Sequence, residues 1–219
     1  MQANYEQRLR LTFRKFGPTR YIGHLDLART LERSLNRAQI PMAYTQGFNR
    51  RPRMQMATAL PLGYTSEHEL ADIWLTEKME PEAARQQLMA KMAPGIDIYG
   101  MEEVPFAEPA LQTQTVSSHY VAAILEPVET AVLQTHIDAL LASDSHARDR
   151  ATGKKRKPYD LRPLILDLAL DESGDAVQIK MHLTLEPSMT GRPDEVLLAL
   201  ELDPLAARIH RTMIVLAEA

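Results

Sequence analysis

Residues 9–38 read LRLTFRKFGPTRYIGHLDLARTLERSLNRA, and two different hydrophobic periods follow each other within this stretch. At its start, Leu9, Leu11 and Phe13 alternate with polar and basic residues, which is typical of a half-buried strand. Gly17 and Pro18 then interrupt the alternation. The pattern predicts a basic outer face for the strand, formed by Arg8, Arg10, Thr12 and Arg14.

A helix is predicted over 24–38, because apolar side chains recur there at helical spacing. Its buried stripe would consist of Leu27, Leu31, Leu35 and Ala38. A second row recurs every four residues on another side of the same helix and consists of Arg29, Arg33 and Arg37. We expect these three arginines to point into solvent.

The same order of elements is predicted twice along the chain. The first half, 1–104, continues with a short strand at 42–45, a strand at 69–75, a helix that Pro81 can open, and a last strand at 96–101. Residues 105–116 are interpreted as a linker, because they contain two prolines and several small polar residues. In 117–219 the order is again strand, helix, two strands, helix, strand. We therefore expect an α+β protein with two ferredoxin-like (βαββαβ) halves packed side by side.

Composition excludes several classes of protein. The chain has 219 residues, of which 45% are hydrophobic and 25% charged, as in ordinary globular proteins. It has no cysteine, so disulfides, thiolate nucleophiles and cysteine-ligated metal or iron–sulfur sites are excluded. The sequence has no apolar run of membrane-spanning length and no signal-like N-terminus, so we expect a cytoplasmic protein that does not contact the membrane.

The net charge of -4 hides a strong asymmetry along the chain. Residues 1–60 carry 11 basic and 3 acidic side chains, and residues 148–162 carry 7 and 2. The segments between and after them are acidic. Such segments suit a surface that binds a polyanion or an acidic protein. The alternative is that the basic and acidic parts pair with each other in the fold.

Two loops are candidate binding elements. Residues 47–53 (GFNRRPR) combine an aromatic side chain with arginines that can bind phosphate, and Phe48 could stack on an unpaired base or anchor the loop in the core. The arginines of this loop are Arg50, Arg51 and Arg53. The second basic run is interpreted as a mobile loop between a helix and a strand, which either is simply solvated or binds nucleic acid. Its candidates are Lys154, Lys155, Arg156 and Lys157, followed by Arg162.

His24 is the one candidate for acid–base chemistry. It lies at the predicted start of the first helix, where free N–H groups favour an anion, but His24 or Asp26 could simply cap the helix after Gly23. None of the common nucleotide-binding, hydrolase or metalloprotease motifs is present, and the other histidines lack ligand spacing. Catalysis therefore has no support beyond His24, and we expect neither a metal nor a cofactor.

Four segments resemble the radical-SAM-linked protein family, a bacterial family of unknown function encoded beside or fused to a radical SAM protein. They are residues 9–13 (LRLTF), 21–26 (YIGHLD), 46–52 (QGFNRRP) and 60–63 (LPLG), with looser support from 160–163 (DLRP) and 191–193 (GRP). The family leads us to expect a histidine in the phenylalanine-centred loop, where this chain has Arg51. The resemblance implies an accessory protein that acts with a separate radical SAM enzyme, in RNA-related work.

Three functions follow as hypotheses. The first is a non-catalytic accessory protein that presents RNA or a ribonucleoprotein to the radical SAM partner through the basic segments. The second is a protein–protein adaptor that docks an acidic face of that partner. The third is a metal-independent RNA-processing enzyme, since duplicated ferredoxin-like folds include such enzymes; His24 would be its acid or base, with Tyr21 and Arg53 as helpers.

Overall fold

A computed structural model describes residues 5–46, 48–152 and 155–217 and has a mixed α+β architecture. The chain divides into two compact units, Met1–Thr115 and Val116–Ala219. The helix predicted over 24–38 is confirmed, as are strands near every predicted position of the two βαββαβ patterns except 42–45, where only isolated bridges form.

The first unit consists of four strands and three helices. In chain order they are β1 (Gln7–Lys15), α1 (His24–Arg37), β2 (Met54–Met56), β3 (Thr65–Leu75), α2 (Pro81–Met89), β4 (Ile96–Glu103) and α3 (Leu111–Gln114). The strands lie in the order β4-β1-β3-β2, and neighbouring strands are antiparallel. Leu9 on β1 stands opposite Ile73 on β3 and Glu103 on β4.

The core of the first unit forms where α1 and α2 cover one face of this sheet. The predicted core face of β1 and the predicted buried stripe of α1 are both buried. Leu27, Leu31 and Leu35 of α1 belong to the same core cluster as the alternating apolar residues of β1. Burial of each such side chain contributes about 1.5–3 kcal/mol relative to exposure. The apolar residues of the alternating strand pattern and those of the helical pattern therefore pack into a single core.

The prediction of a basic outer face on β1 is wrong for Arg8 and Arg10. Both side chains are buried and share one buried carboxylate, Asp72 on β3, with Nε–Oδ distances of 3.0 Å and 2.8 Å. Arg8 also donates to the carbonyls of Glu108 at 2.8 Å and Pro109 at 3.0 Å. Arg10 is thus a structural residue here, because Asp72 lies beside it only after β1 and β3 pair.

The segment 105–116, expected as a linker, packs onto the first unit. Its carbonyls accept the hydrogen bonds from Arg8, and α3 lies within it. Leu111 at the start of α3 is fully buried, as is Val104 just before the segment. Apolar burial and the arginine contacts therefore hold most of this segment in place, and the boundary between the units falls at its end.

The second unit contains six strands and two helices. In chain order they are β5 (Thr115–Ile124), α4 (Thr130–Ala142), β6 (Ala147–Thr152), β7 (Lys155–Asp160), β8 (Ile165–Asp171), β9 (Gln178–Thr184), α5 (Pro193–Ala199) and β10 (Ala207–Leu216). Four strands lie in the order β10-β5-β9-β8, and β6 and β7 form a separate two-stranded sheet. Along β5, Tyr120, Ala122 and Ile124 are buried, whereas the residues between them are partly exposed.

The described part of the second basic run, which excludes residues 153–154, forms strands, and this corrects its interpretation as a mobile loop. The backbone of 147–152 pairs antiparallel with that of 155–160, so that Ala147 stands opposite Asp160. The Asp160 carboxylate also accepts from the N–H groups of His146 at 2.7 Å and Arg162 at 3.0 Å, which holds the base of the hairpin. Within the described ranges, every helix is too short or too polar to cross a membrane.

Candidate nucleic-acid interface

The predicted arginine row on α1 is exposed. Arg29, Arg33 and Arg37 all point to solvent, because the leucines on the other side of the helix fill the core. Arg29 makes a long ion pair with Asp26, 3.4 Å, in which both side chains are mostly exposed. Arg37 donates to Ser34 Oγ at 3.1 Å and to the Lys91 carbonyl at 2.9 Å. These contacts leave the row accessible to a polyanion.

The arginine-rich loop lies next to this row. Backbone hydrogen bonds close the base of the loop, from Thr45 to the Arg51 carbonyl at 2.9 Å and from Arg53 to the Ala43 carbonyl at 2.7 Å. Tyr44 donates its hydroxyl to Asn36 Oδ1 of α1 at 3.1 Å. Because Asn36 lies beside the arginine row on α1, this bond brings the two basic elements together within the first unit.

Phe48 lies near the tip of the loop and is fully exposed. Of the two alternatives that the sequence left open, core anchor and free aromatic ring, the structure shows the exposed ring. The neighbouring Arg50 and Arg51 are exposed as well. An exposed ring flanked by guanidinium groups can stack on a base while the arginines contact phosphates.

Arg53 has a different environment from the other arginines of the loop. Its guanidinium carbon lies 4.6 Å from the ring centre of Tyr5 and 4.8 Å from that of Trp74. The aromatic rings on both sides fix the guanidinium by cation–π contacts. A small cavity of about 160 Å³ lies beside this stack. Arg53 is therefore held in place rather than free to follow a phosphate backbone.

Arg14 is the one predicted outer-face arginine of β1 that stays accessible. Its side chain is half exposed, 3.8 Å from Asp97, and its guanidinium lies 4.8 Å from the Tyr99 ring centre. Burial raises the pKa of the Tyr99 hydroxyl above its ordinary value, although the positive charge of Arg14 acts in the opposite direction. At neutral pH, this part of the sheet therefore presents the positive charge of Arg14 beside the neutral hydroxyl of Tyr99.

His24 lines a cavity of about 360 Å³ in the first unit. The cavity lies between α1, β2 and α3, and Glu32, Gln55 and Gln112 contribute polar side chains to it. The His24 Nδ1 and Gln55 Oε1 atoms are buried and have no hydrogen-bond partner in the described structure. Gly23 is the N-cap of α1, and no side chain caps it. The capping role considered for His24 or Asp26 is therefore not observed.

The residues proposed to assist His24 in catalysis do not share its cavity. Tyr21 is exposed and lies under the Arg20 guanidinium, 4.7 Å from its ring centre, and Arg53 lines the other cavity described above. Gln55 is the one side chain common to the two cavities. His24 can offer a ring nitrogen and Gln55 a carbonyl oxygen for hydrogen bonds to a bound group, but these residues do not form an acid–base constellation.

In the second unit, Arg162 is not an exposed cation of the interface. Its guanidinium donates to the Leu141 carbonyl at 2.9 Å and to the Ile165 carbonyl at 2.8 Å. It joins the end of α4 to the start of β8, so Arg162 has a structural role, and its part in binding stays a prediction. Lys154 lies outside the described residues, and for 155–157 the structure describes only the backbone, on β7.

A histidine pair on the second unit escaped the sequence-based predictions. His119 on β5 and His182 on β9 are directly opposite in the antiparallel register, and their rings stack with centroids 4.0 Å apart and planes 13° from parallel. The alternation along each strand could have predicted that each histidine lies on the face of the sheet away from the core. Their pairing depends on the register between two strands, in which His119 and His182 are 63 positions apart along the chain, and the sequence does not reveal this register.

Comparison with known proteins finds likenesses among solved structures and a matching family. A chain in the crystal structure of a Cbf5-Nop10-Gar1 complex is similar to this chain, with a TM-score of 0.51 and 10% sequence identity. The likeness covers 94% of this chain but only 48% of that one, so the chain spans about half the length of its structural relative. No curated protein matches the chain.

The family comparison covers most of both units. A family model described as an uncharacterized protein conserved in bacteria, DUF2344, matches residues 8–193. The match includes the arginine row of α1, the Phe48 loop, the His24 cavity and the histidine pair. The chain therefore belongs to the uncharacterized bacterial family DUF2344.

Proposed function

We propose that this protein is a non-catalytic accessory protein of the cytoplasm that binds RNA, or a ribonucleoprotein, through the basic surface of its first unit. This basic surface consists of Arg29, Arg33 and Arg37 on α1 together with Phe48, Arg50 and Arg51 of the adjoining loop. The observation that carries the proposal is the hydrogen bond from Tyr44 to Asn36, which places the loop beside the arginine row.

The chemistry of this basic surface suits a single strand. Guanidinium groups bind phosphates as two-pronged donors, and each phosphate that they neutralise releases counterions. Phe48 adds a flat ring that is fully exposed and can stack on an unpaired base. A surface used only for solubility needs no exposed aromatic ring among its cations, so Phe48 favours nucleic acid over a solvated face.

The salt dependence of RNA binding tests this proposal. We would measure binding of a labelled single-stranded RNA by fluorescence anisotropy between 50 and 200 mM salt. Replacing Arg29, Arg33 and Arg37 by glutamine should reduce the slope of log K against log salt by about 2, since each phosphate contact contributes about 0.7 for a single strand. Phe48→Ala should weaken binding by ~1–3 kcal/mol with little change in the slope.

The matched control is Lys78→Gln, which removes an exposed cation of the same unit that lies outside the basic surface. It should leave the slope nearly unchanged. Equal binding of wild type and the triple glutamine variant, with equal salt slopes, would exclude RNA binding by this surface.

We further infer that both units are ferredoxin-like. In each unit the element order is β-α-β-β-α-β, once the β6–β7 hairpin is left out. The strands also lie in the same spatial order in both units, which is β4-β1-β3-β2 in the first and β10-β5-β9-β8 in the second. The extra elements are α3 in the first unit and the β6–β7 hairpin in the second. An experimental structure of each unit, superposed on ferredoxin-like domains, tests this inference.

The radical SAM enzyme remains the partner that we propose, on the basis of the sequence resemblance alone. The chain has no cysteine and so cannot itself ligate the cluster that such an enzyme needs. The test is co-purification of this protein with a radical SAM protein encoded beside it. Absence of any complex, with and without RNA, would remove this part of the proposal.

A protein–protein adaptor is the second candidate, and exposed apolar side chains favour it. Tyr21, Leu25 and Leu62 are all more than 60% exposed near the start of α1. The Gly63 N–H donates to the Arg20 carbonyl at 2.8 Å, so the Leu62 loop lies against this region. Complex formation that survives nuclease treatment and is lost on charge reversal of the arginine row would favour the adaptor over RNA binding.

A further inference from the structure

The sheet strands of the second unit carry a shallow cavity of about 400 Å³, on the face where the rings of His119 and His182 stack. It lies on β5 and β9, the two inner strands of the second unit's order β10-β5-β9-β8, and reaches the flanking strands β8 and β10. The stacked rings of His119 and His182 form one side of it. The other polar side chains that line it are Asp167, Lys180 and Thr212.

The histidine pair is held in a fixed orientation. His182 Nε2 lies 2.9 Å from the hydroxyl oxygen of Ser117, a buried residue two positions before His119 on β5. His119 in turn stacks on His182 with nearly parallel planes. A planar ligand that stacks on this pair therefore meets rings that do not have to be ordered on binding, which reduces the entropic cost of association.

The charges around the pair favour a neutral planar group over a phosphate. Burial lowers the pKa of His119, and His182 lowers it further by charge repulsion, so the His119 ring is mainly neutral at neutral pH. The Lys180 ammonium already pairs with Asp171 at 2.7 Å. Asp167 adds a carboxylate, which repels phosphate oxygens but accepts hydrogen bonds from amino and imino groups.

We propose that this cavity binds an unpaired nucleobase of single-stranded RNA, which stacks on the His119–His182 pair and donates its amino edge to Asp167. Histidine is one of the side chains on which splayed-out RNA bases stack, and a four-stranded sheet of this strand order presents such rings from its two central strands in known RNA-binding modules. Guanine, cytosine and adenine carry exocyclic amino groups that can donate to a carboxylate, whereas uracil has none. The inference rests on the proposed binding of RNA, but it uses a different surface.

The test follows the imidazole C–H resonances of the full-length protein by NMR during titration with a short single-stranded RNA. Stacking should move the resonances of His119 and His182 upfield, by the ring current of the base, and leave those of His136 in place. His119→Ala should weaken binding of the RNA by about 5- to 150-fold, whereas His119→Phe, which keeps a flat ring, should retain most of the affinity. Asp167→Asn should reduce any preference for the amino-bearing bases guanine, cytosine and adenine over uracil.

His136→Ala is the matched control, because this histidine lies on α4, away from the cavity, where its Nδ1 is 3.4 Å from the Leu200 carbonyl. Guanosine and cytidine monophosphates, added alone, show whether a free nucleotide suffices: stacking shifts with the mononucleotides at concentrations where the RNA does not bind would overturn the commitment to RNA. If RNA binds wild type and His119→Ala equally, and the His119 and His182 resonances do not move during the titration, the base site is refuted and the proposed function still stands. Stacking shifts that persist after neutralisation of the arginine row, with unchanged affinity, would instead refute the proposed role of that row.

Discussion

Asp72 is the residue whose loss should destabilise the first unit most. Its carboxylate is fully buried, and the side chains of Arg8 and Arg10 that bind it are 2% and 9% exposed. Burial opposes the charged form of Arg10, but the hydrogen bond and the charge of Asp72 outweigh this effect, so the pKa of Arg10 is raised. Asp72→Ala would remove the carboxylate that both buried guanidinium groups share, leaving Arg10 with only its longer ion pair to Glu108, 3.5 Å.

The expected cost follows from this geometry. Removal of one partner from a buried ion pair costs about 3–5 kcal/mol, because the remaining charge stays buried and unpaired. Arg8 retains its bonds to the carbonyls of Glu108 and Pro109, which limits its own contribution. We therefore expect Asp72→Ala to lower the free energy of unfolding by about 3–5 kcal/mol rather than twice that. This is a large part of the ~5–15 kcal/mol that typically stabilises a domain.

Urea unfolding followed by tryptophan fluorescence measures this cost directly. Trp74 is the only tryptophan of the chain, and its ring centre lies 5.1 Å from the Arg8 guanidinium carbon, so its signal reports on the first unit. The matched control is Asp97→Ala, which removes a half-exposed ion pair with Arg14 and should cost no more than about 1 kcal/mol.

A variant that replaces all three charged residues tests the same reasoning from the other side. Replacing Arg8 and Arg10 by methionine together with Asp72→Leu should restore much of the stability lost in Asp72→Ala, since it leaves no unpaired buried charge. If Asp72→Ala were no more destabilising than Asp97→Ala, the argument from buried charge would be refuted.

Two further predictions concern the backbone and the pH. Gly95→Ala should lower the free energy of unfolding by about 1–3 kcal/mol, because Gly95 has φ of +87° and a Cβ there would lie 2.8 Å from the Phe16 carbonyl oxygen; thermal unfolding checks this against Gly174→Ala, where the nearest atom lies 3.9 Å away. The lowered pKa of His119 means that the folded state holds this proton less tightly than the unfolded chain, whose histidines titrate near ~6.5. Its stabilising contribution is therefore present above about pH 6.5 and is lost as the pH falls from there towards the folded-state pKa. Urea midpoints at pH 7.5 and 5 should differ less for His119→Gln than for wild type, and an equal difference in both proteins would contradict this assignment.

Local periodicity predicted those parts of the fold that depend on neighbours along the chain. The leucine spacing of 24–38 predicted both the buried stripe of α1 and its solvent-exposed arginines, since helical geometry alone decides which residues share a side. The alternation in β1 likewise predicted its core face. For Phe48 the sequence left the core and the solvent as alternatives, because no periodicity applies within the loop.

Contacts between distant residues were decided by tertiary structure alone. The alternation in β1 predicted that Arg8 and Arg10 lie on an exposed face. Pairing of β1 with β3 instead places Asp72 beside them, and the three side chains form a buried ion cluster. The stack of His119 on His182 depends in the same way on the register of β5 and β9. The sequence by itself determined most of the order of helices and strands, the core faces of β1 and α1 and the exposed arginine row, because these follow from local spacing. Tertiary structure decided which charges are buried and which rings meet, because strand register joins residues that no local pattern connects.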